Sequence, residues 1–341
     1  LLLLWRYHHP IGTPDLLPPP DRDAISPRAV TLLALVLAGA ALALLALPRL
    51  FAIVPNDYGR YRVVVRTLKA PGVDPGIIIL GDSRGASGLD ARQLTRELAG
   101  HPLALNLCVP AMHLDDVLML MQDLPSSARR LVIVIGRDSL VSGNFTPAAY
   151  NVMFMAGFRP NDRTIRLMAA SFGAEAEREM QRGPLEQTLS SRWVIRHLAD
   201  RLLYDAFRGR ASETRERNDL FFPMPFERRL DPSRFSAAVS ILRSGHPSPI
   251  LSPPSRKLIE AIADSATRAH RRVILVIAPA DPRVTGPAPL PTIAIPHLPS
   301  LTVVDAESLL NDSDFADPLH PLTSGARKLT ILVAQGIGEL H

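Results

Sequence analysis

A single cysteine, Cys108, stands in the 341 residues. That excludes an intramolecular disulfide and any zinc site built from several cysteines, and it suits either redox compartment. Aromatic residues are scarce at 5%, so any core must be lean and aliphatic. No dense Lys/Arg block alternates with aromatics, and the formal charge of +5 is mild and spread along the chain. Nucleic acid is therefore not an expected partner. No internal repeat is visible. What the chain does have is apolar sequence, 47% of it, punctuated by 32 prolines. That is enough for one large domain or two small ones, rich in loops.

The run "AVTLLALVLAGAALALLALP", between Arg28 and Arg49, is uncharged and about as long as the roughly 20 residues a spanning helix needs. A buried core helix or a cleaved signal peptide would also be apolar, but no small-x-small cleavage site precedes the polar region. The expectation is a single transmembrane helix over 29–50, with 1–28 a disordered leader and 51–73 a juxtamembrane linker. Arg49, Arg60, Arg62, Arg66 and Lys69 follow the run, while Arg22 and Arg28 precede it. The positive-inside rule alone would keep the remainder cytoplasmic, yet it weakens for long domains, so the flanks leave orientation open.

From residue 74 the pattern turns regular. "GIIIL" (76–80), "LALNL" (103–107), "RLVIVIG" (130–136), "VILVIAPA" (273–280) and "LTVVD" (301–305) read as short buried strands. Helical patterns separate them, among them "LDARQLTRELAG" with Asp90 as N-cap and Gly100 as stop, "HLDDVLMLMQDL", "PSRKLIEAIADSATRAHRR", and a closing helix from about Ser324 to Leu340. Residues 140–255 break the rhythm and read as a largely helical insertion over one end of the sheet. Strands alternating with helices predict an α/β fold, a three-layer doubly wound parallel sheet of flavodoxin-like type. Ligands bind such sheets beyond the carboxyl ends of the strands, where Ser83 and the turns after Leu107 and Gly136 all fall.

Ser83 lies in the glycine-flanked turn "IIILGDSRGASGLD". A nucleophilic hydroxyl needs exposure, a base within reach and donors for an oxyanion; a plain turn needs only small polar residues. Far along the chain, "FADPLHPLTSGARKL" puts Asp317 three residues before His320. That spacing lets a carboxylate fix an imidazole tautomer and free the other ring nitrogen to take a proton.

Gly81-Asp82-Ser83 after a first strand, with Asp-x-x-His near the C-terminus, resembles the SGNH/GDSL hydrolase superfamily over about residues 74–340. "NLCVPAMHLDDVLML" and the last block are similar to its membrane-anchored DltD/AlgX/AlgJ-like group. The resemblance implies Ser83 as nucleophile, His320 as general base and Asp317 as its orienting partner, with Gly81 and Asp82 in support. It implies an oxyanion hole from the Ser83 N–H and an amide of the second block. Cys108 or Ala111 stands where glycine is usual, and an alanine amide serves if its backbone angles are ordinary. The third block departs further: Gly136-Arg137-Asp138 carries a carboxylate where the family has asparagine, and an ionised carboxylate repels an oxyanion. Either Asp138 pairs with Arg84 or Arg137, or another group such as Asn144 donates, or the site is catalytically weak. Arg84 and Arg137 are the candidates to bind an anionic glycan or lipid headgroup.

The expected activity is thus serine esterase or O-acyltransferase chemistry on acylated glycan or another acyl ester, with no metal or organic cofactor. By analogy with the family, the protein sits in the cytoplasmic (inner) membrane with its catalytic domain on the outer, periplasmic side. The alternative is an impaired SGNH-like subunit that binds glycan or scaffolds a membrane-bound acyltransferase partner.

Overall fold

A computed structural model describes residues 27–53, 59–142, 145, 147–183, 186–187, 190, 218–243, 250–285 and 291–338. The chain divides into two compact units, 1–47 and 48–341. Within the second unit, five strands form one all-parallel sheet: β1 (Ile77–Gly81), β2 (Ala104–Asn106), β3 (Arg130–Ile135), β4 (Arg272–Ile277) and β5 (Leu301–Asp305). Their order is β2-β1-β3-β4-β5. The chain starts in the middle, steps outward once, then crosses back to the other side. The reversal lies between β1 and β3, the switch point at which doubly wound sheets hold their ligands.

β1 and, past their first residues, β3 and β4 are apolar and buried throughout because helices cover both faces. Register aligns Ile79 with Val132 and Val132 with Ile274. One face therefore presents Ile77, Ile79, Val132, Val134, Ile274 and Val276 to Leu89, Leu94, Leu329, Val333 and Ile337. Those side chains come from α3 (Ser83–Gly88), α4 (Ala91–Glu97) and the closing helix Thr323–Gly338. The opposite face is covered by α5 (Leu114–Leu120) and the helix Pro253–Arg268, which touch each other and the sheet. The expected three-layer α/β architecture is what forms.

Asp90 caps α4 as its sequence suggested, accepting from the Arg92 and Gln93 amides. That helix closes at Glu97, three residues before Gly100. Its last turns are too short of apolar residues to hold further against the sheet.

The linker expected over 51–73 is different. Residues Gly59–Lys69 form α2, with Tyr61, Val64, Val65 and Leu68 buried. Their i, i+3, i+4, i+7 spacing is a helical stripe that intervening arginines obscure in the sequence. The apolar run is also helical, forming α1 (Pro27–Ile53). Among the described residues no helix is long and apolar enough to cross a membrane. Large apolar side chains of α1 such as Leu32, Leu35 and Leu37 are exposed.

The described part of the insertion is largely helical, including Pro147–Met155, Asp162–Phe172, Ala174–Gln181 and Pro232–Arg243. It does more than sit over one end. Residues 220–226 run back along the sheet edge, where the carbonyls of Leu220, Phe221 and Phe226 accept from the amides of Asn106, Ala91 and Thr323. Residues 191–217 of the insertion and 1–26 of the expected leader 1–28 lie outside the described residues.

α5 buries two adjacent carboxyls, Asp115 and Asp116. Asp116 Oδ2 accepts from the Tyr61 hydroxyl at 2.9 Å and the His113 amide at 3.0 Å. Desolvation, reinforced by Asp115, pushes the Asp116 carboxyl well above the ordinary carboxylate range. A raised folded-state value means that its stabilising contribution is complete below the unfolded pKa and is lost as pH rises through the folded one. Asp116→Asn should therefore gain on the wild type as pH climbs from about 4.5 to 7.5. Denaturant midpoints across that range check this, and a flat difference would contradict it.

Candidate active site

The site grows from one junction. β1 ends at Gly81, whose φ of +147° is a conformation that side chains rarely adopt. A Cβ there would overlap the Val134 carbonyl of β3. The next residue, Asp82, donates its amide to that same carbonyl at 3.1 Å. Its side chain caps α3 through the Arg84 amide at 2.8 Å and accepts from the Gly136 amide at 3.3 Å. Asp82 thus stitches the end of β1 to the end of β3 and starts a helix on the spot. Ser83 is the first residue of that helix.

Ser83, His320 and Asp317 meet as their sequence pattern predicts. The Ser83 hydroxyl lies 2.8 Å from His320 Nε2, and His320 Nδ1 lies 2.7 Å from Asp317 Oδ2. The other carboxylate oxygen accepts from the Leu319 and His320 amides at 2.9 and 3.0 Å, so Asp317 and His320 form one tight loop. Burial works against the Asp317 charge, but the His320 hydrogen bond and charge, with those amides, hold its carboxyl below the usual range. An ionised carboxylate only accepts, so Nδ1–H donates to Asp317 and Nε2 is left to receive the serine proton. The imidazole is partly open at 18% side-chain exposure, and the Phe226 ring lies 5.5 Å from it, centre to centre.

The second block contributes less simply. The Cys108 amide is spent on Asn106 Oδ1 at 3.1 Å, which removes it as an oxyanion donor. Ala111 does not have ordinary backbone angles: its φ is +60°. Pro110 and Ala111 are the central residues of a turn closed by the Met112 amide on the Val109 carbonyl at 3.1 Å. Proline first and positive φ second is the type II pattern, in which glycine is favoured at Ala111's place. The turn keeps the family's backbone without its glycine, at a cost of order 1 kcal/mol in strain. The Cys108 thiol is no rival nucleophile, since burial and the Asp82 charge push it up.

Both arginines expected to bind substrate are otherwise engaged. Arg84 is buried, its guanidinium 2.6 Å from Asp138 and 3.9 Å from Asp82. Arg137 is buried against both oxygens of Glu307 and the Pro291 carbonyl. Neither is available to an anionic headgroup. Charges that looked like loose rim groups in one dimension are partners in three. Asp138 pairs with Arg84 and not with Arg137. Burial opposes the Asp138 charge, but Arg84 and its hydrogen bond outweigh it and lower the carboxyl. Asn144 lies outside the described residues.

Three supports carried little or no sequence signal. Asn106 is fully buried and donates to the Gly85 and Leu89 carbonyls at 3.0 and 2.7 Å, finishing α3. Arg60 of α2 is buried and donates to the carbonyls of Asn106, Cys108 and Asp219; desolvation lowers it to about 10. Gly136 has no room for a Cβ, which would overlap the Arg84 guanidinium. Asn106 lay in a block that had been read as strand alone, and nothing marked Arg60 among its neighbouring arginines. Among the described residues no group of three or more His, Cys, Asp or Glu could hold a metal ion.

No family model matches this chain, and no curated protein matches it.

Arg84 is the cation between two carboxylates. Arg84→Met should destabilise the protein by about 2–4 kcal/mol, since a buried partner is removed. Adding Asp138→Asn should return about 1 kcal/mol of that loss, no more, because the Asp138 side chain is 66% exposed and screened. A double-mutant cycle in denaturant measures the coupling; strict additivity would mean that the pair does not act as a unit.

Proposed function

We propose that this chain is a membrane-anchored serine esterase or O-acyltransferase of SGNH type, acting on acyl esters of a cell-envelope or secreted polysaccharide. The observation that carries the chemistry is the unbroken hydrogen-bonded series Ser83–His320–Asp317 at the carboxyl ends of the strands. The substrate and location rest on the family resemblance.

The steps follow from the geometry. His320 Nε2 takes the hydroxyl proton as Ser83 Oγ bonds to the ester carbonyl carbon. The tetrahedral oxyanion is held by the Ser83 N–H at the start of α3. Collapse breaks the bond to the alcohol oxygen, which leaves with the proton returned by His320, and an acyl-Ser83 remains. Water or a sugar hydroxyl then repeats the sequence in reverse, regenerating the serine. Asp317 stays ionised throughout and steadies the imidazolium. No step calls for a metal or an organic cofactor.

A second reading is favoured by one observation. An ionised Asp138 where an oxyanion donor is usual, with Ala111 in a strained turn, suits an impaired subunit that binds glycan or scaffolds a membrane acyltransferase. Fluorophosphonate labelling of the full chain separates the two. The enzyme reading expects labelling confined to Ser83 and abolished in Ser83→Ala, with turnover of any ester substrate falling about ten-thousand-fold. No Ser83-dependent labelling between about pH 6 and 9 would leave the subunit reading standing.

The anchor is proposed over 29–50, within the exposed apolar helix α1, with the α/β domain on the outer side. The full chain should resist alkaline carbonate extraction, while a chain starting at residue 51 should not. A C-terminal alkaline phosphatase fusion that stays inactive in cells would contradict the outward placement.

A further inference from the structure

The two arginines that might have drawn an anionic substrate are occupied, and the carboxylate that holds one of them, Asp138, is itself exposed. Three carboxylates, Asp82, Asp138 and Asp317, surround the start of α3 and its base. Arg84 is the guanidinium set among the first two, and Arg137 is balanced by Glu307. Asp82 is buried and turned inward to cap α3, and Asp317 is committed to His320. Asp138 is not consumed in this way. Arg84 approaches its Oδ1 from the buried side at 2.6 Å, while two-thirds of the side chain faces solvent. A carboxylate gripped from behind by a buried guanidinium is a fixed charge rather than a swinging one, which lowers the cost of organising it around a ligand.

We infer that Asp138 determines specificity at this site and that the ester acted on carries a cationic group, such as an organic ammonium, beside the scissile bond. The inference rests on the acyl-ester reading. It also accounts for the departure from asparagine in the third block. At that position a neutral amide gives an oxyanion donor, and a clamped carboxylate exchanges that donor for discrimination by charge. Repulsion of anionic substrates comes from the same group, so attraction and rejection share one origin.

The full chain in detergent is treated at low salt with three matched methylphosphonothioate esters. Their leaving groups are thiocholine, the uncharged 3,3-dimethylbutanethiol, and 3-mercaptopropionate. In each reaction a Ser83 Oγ–P bond forms, the P–S bond breaks, and the thiolate leaves with the proton His320 took from the serine. Intact-mass spectrometry follows the phosphonylated protein, with Ser83→Ala as control. The thiocholine ester should react at least about fivefold faster than its uncharged isostere, and the carboxylate ester slower than both. The preference should shrink in about 0.5 M salt and fall towards one in Asp138→Asn. Equal rates for cation and isostere, or reaction with a fluorophosphonate but with none of the three esters, would overturn the inference and leave the serine-nucleophile reading intact. A preference that survives Asp138→Asn would overturn the role given to that residue. No Ser83-dependent reaction with any phosphonylating agent would remove the underlying reading, and the inference with it.

Discussion

The close approach of β1 to β3 at Gly81 is the constraint on which the rest of the site depends. The chain leaves the strand at a φ of +147° and passes against the Val134 carbonyl with no space for a side chain. Only that approach lets the Asp82 amide reach β3 and its carboxylate reach the Gly136 amide. Because Asp82 is held at both ends, α3 can begin at once, and its first residue is delivered to the sheet's rim. A strand that ended one residue later would bury the hydroxyl in the core. The glycine that looked like a turn former in the sequence is a packing requirement between two backbones.

A second consequence runs through charge. With Asp82 fixed inward, a cation beside it is needed, and Arg84 supplies one from the neighbouring position. The guanidinium then extends under Gly136, where no Cβ could fit, and emerges against Asp138. Two blocks of sequence 54 residues apart are thereby tied through one side chain. The carboxylate at 138, which reads in isolation as a fault in an oxyanion hole, is the outer end of a compensated series. Compensation lowers its pKa but does not turn it into a hydrogen-bond donor.

The layout of the sheet was legible in the sequence because parallel strands buried on both faces leave short unbroken apolar runs. "GIIIL" and "RLVIVIG" are such runs, and β1 and β3 formed where they lie. The triad was legible for a different reason: Asp317 and His320 are local to one another, so their spacing survives in one dimension. Arg84–Asp138 was legible only as one of several possibilities and Arg60 not at all, because each depends on partners brought close only by the crossover of the sheet. α2 was hidden by composition. Its buried stripe of Tyr61, Val64, Val65 and Leu68 alternates with arginines, one of which, Arg60, is itself buried against backbone carbonyls. Charged residues were read as solvated, and here several are the ties between elements.

Arg60 also bears on how the turn after β2 is held. The 107–112 turn has an alanine in a glycine conformation, so left alone it would relax towards negative φ. It is fastened at both ends: Leu107 and Val109 donate their amides to the Ile79 and Gly81 carbonyls, while Arg60 grips the carbonyls of Asn106 and Cys108 from the outside. Strain at Ala111 persists because the neighbours over-determine it. The helix that provides this grip begins a few residues after α1 in the chain. The first element of the α/β unit therefore helps fix the backbone between β2 and α5, which a linker would not do.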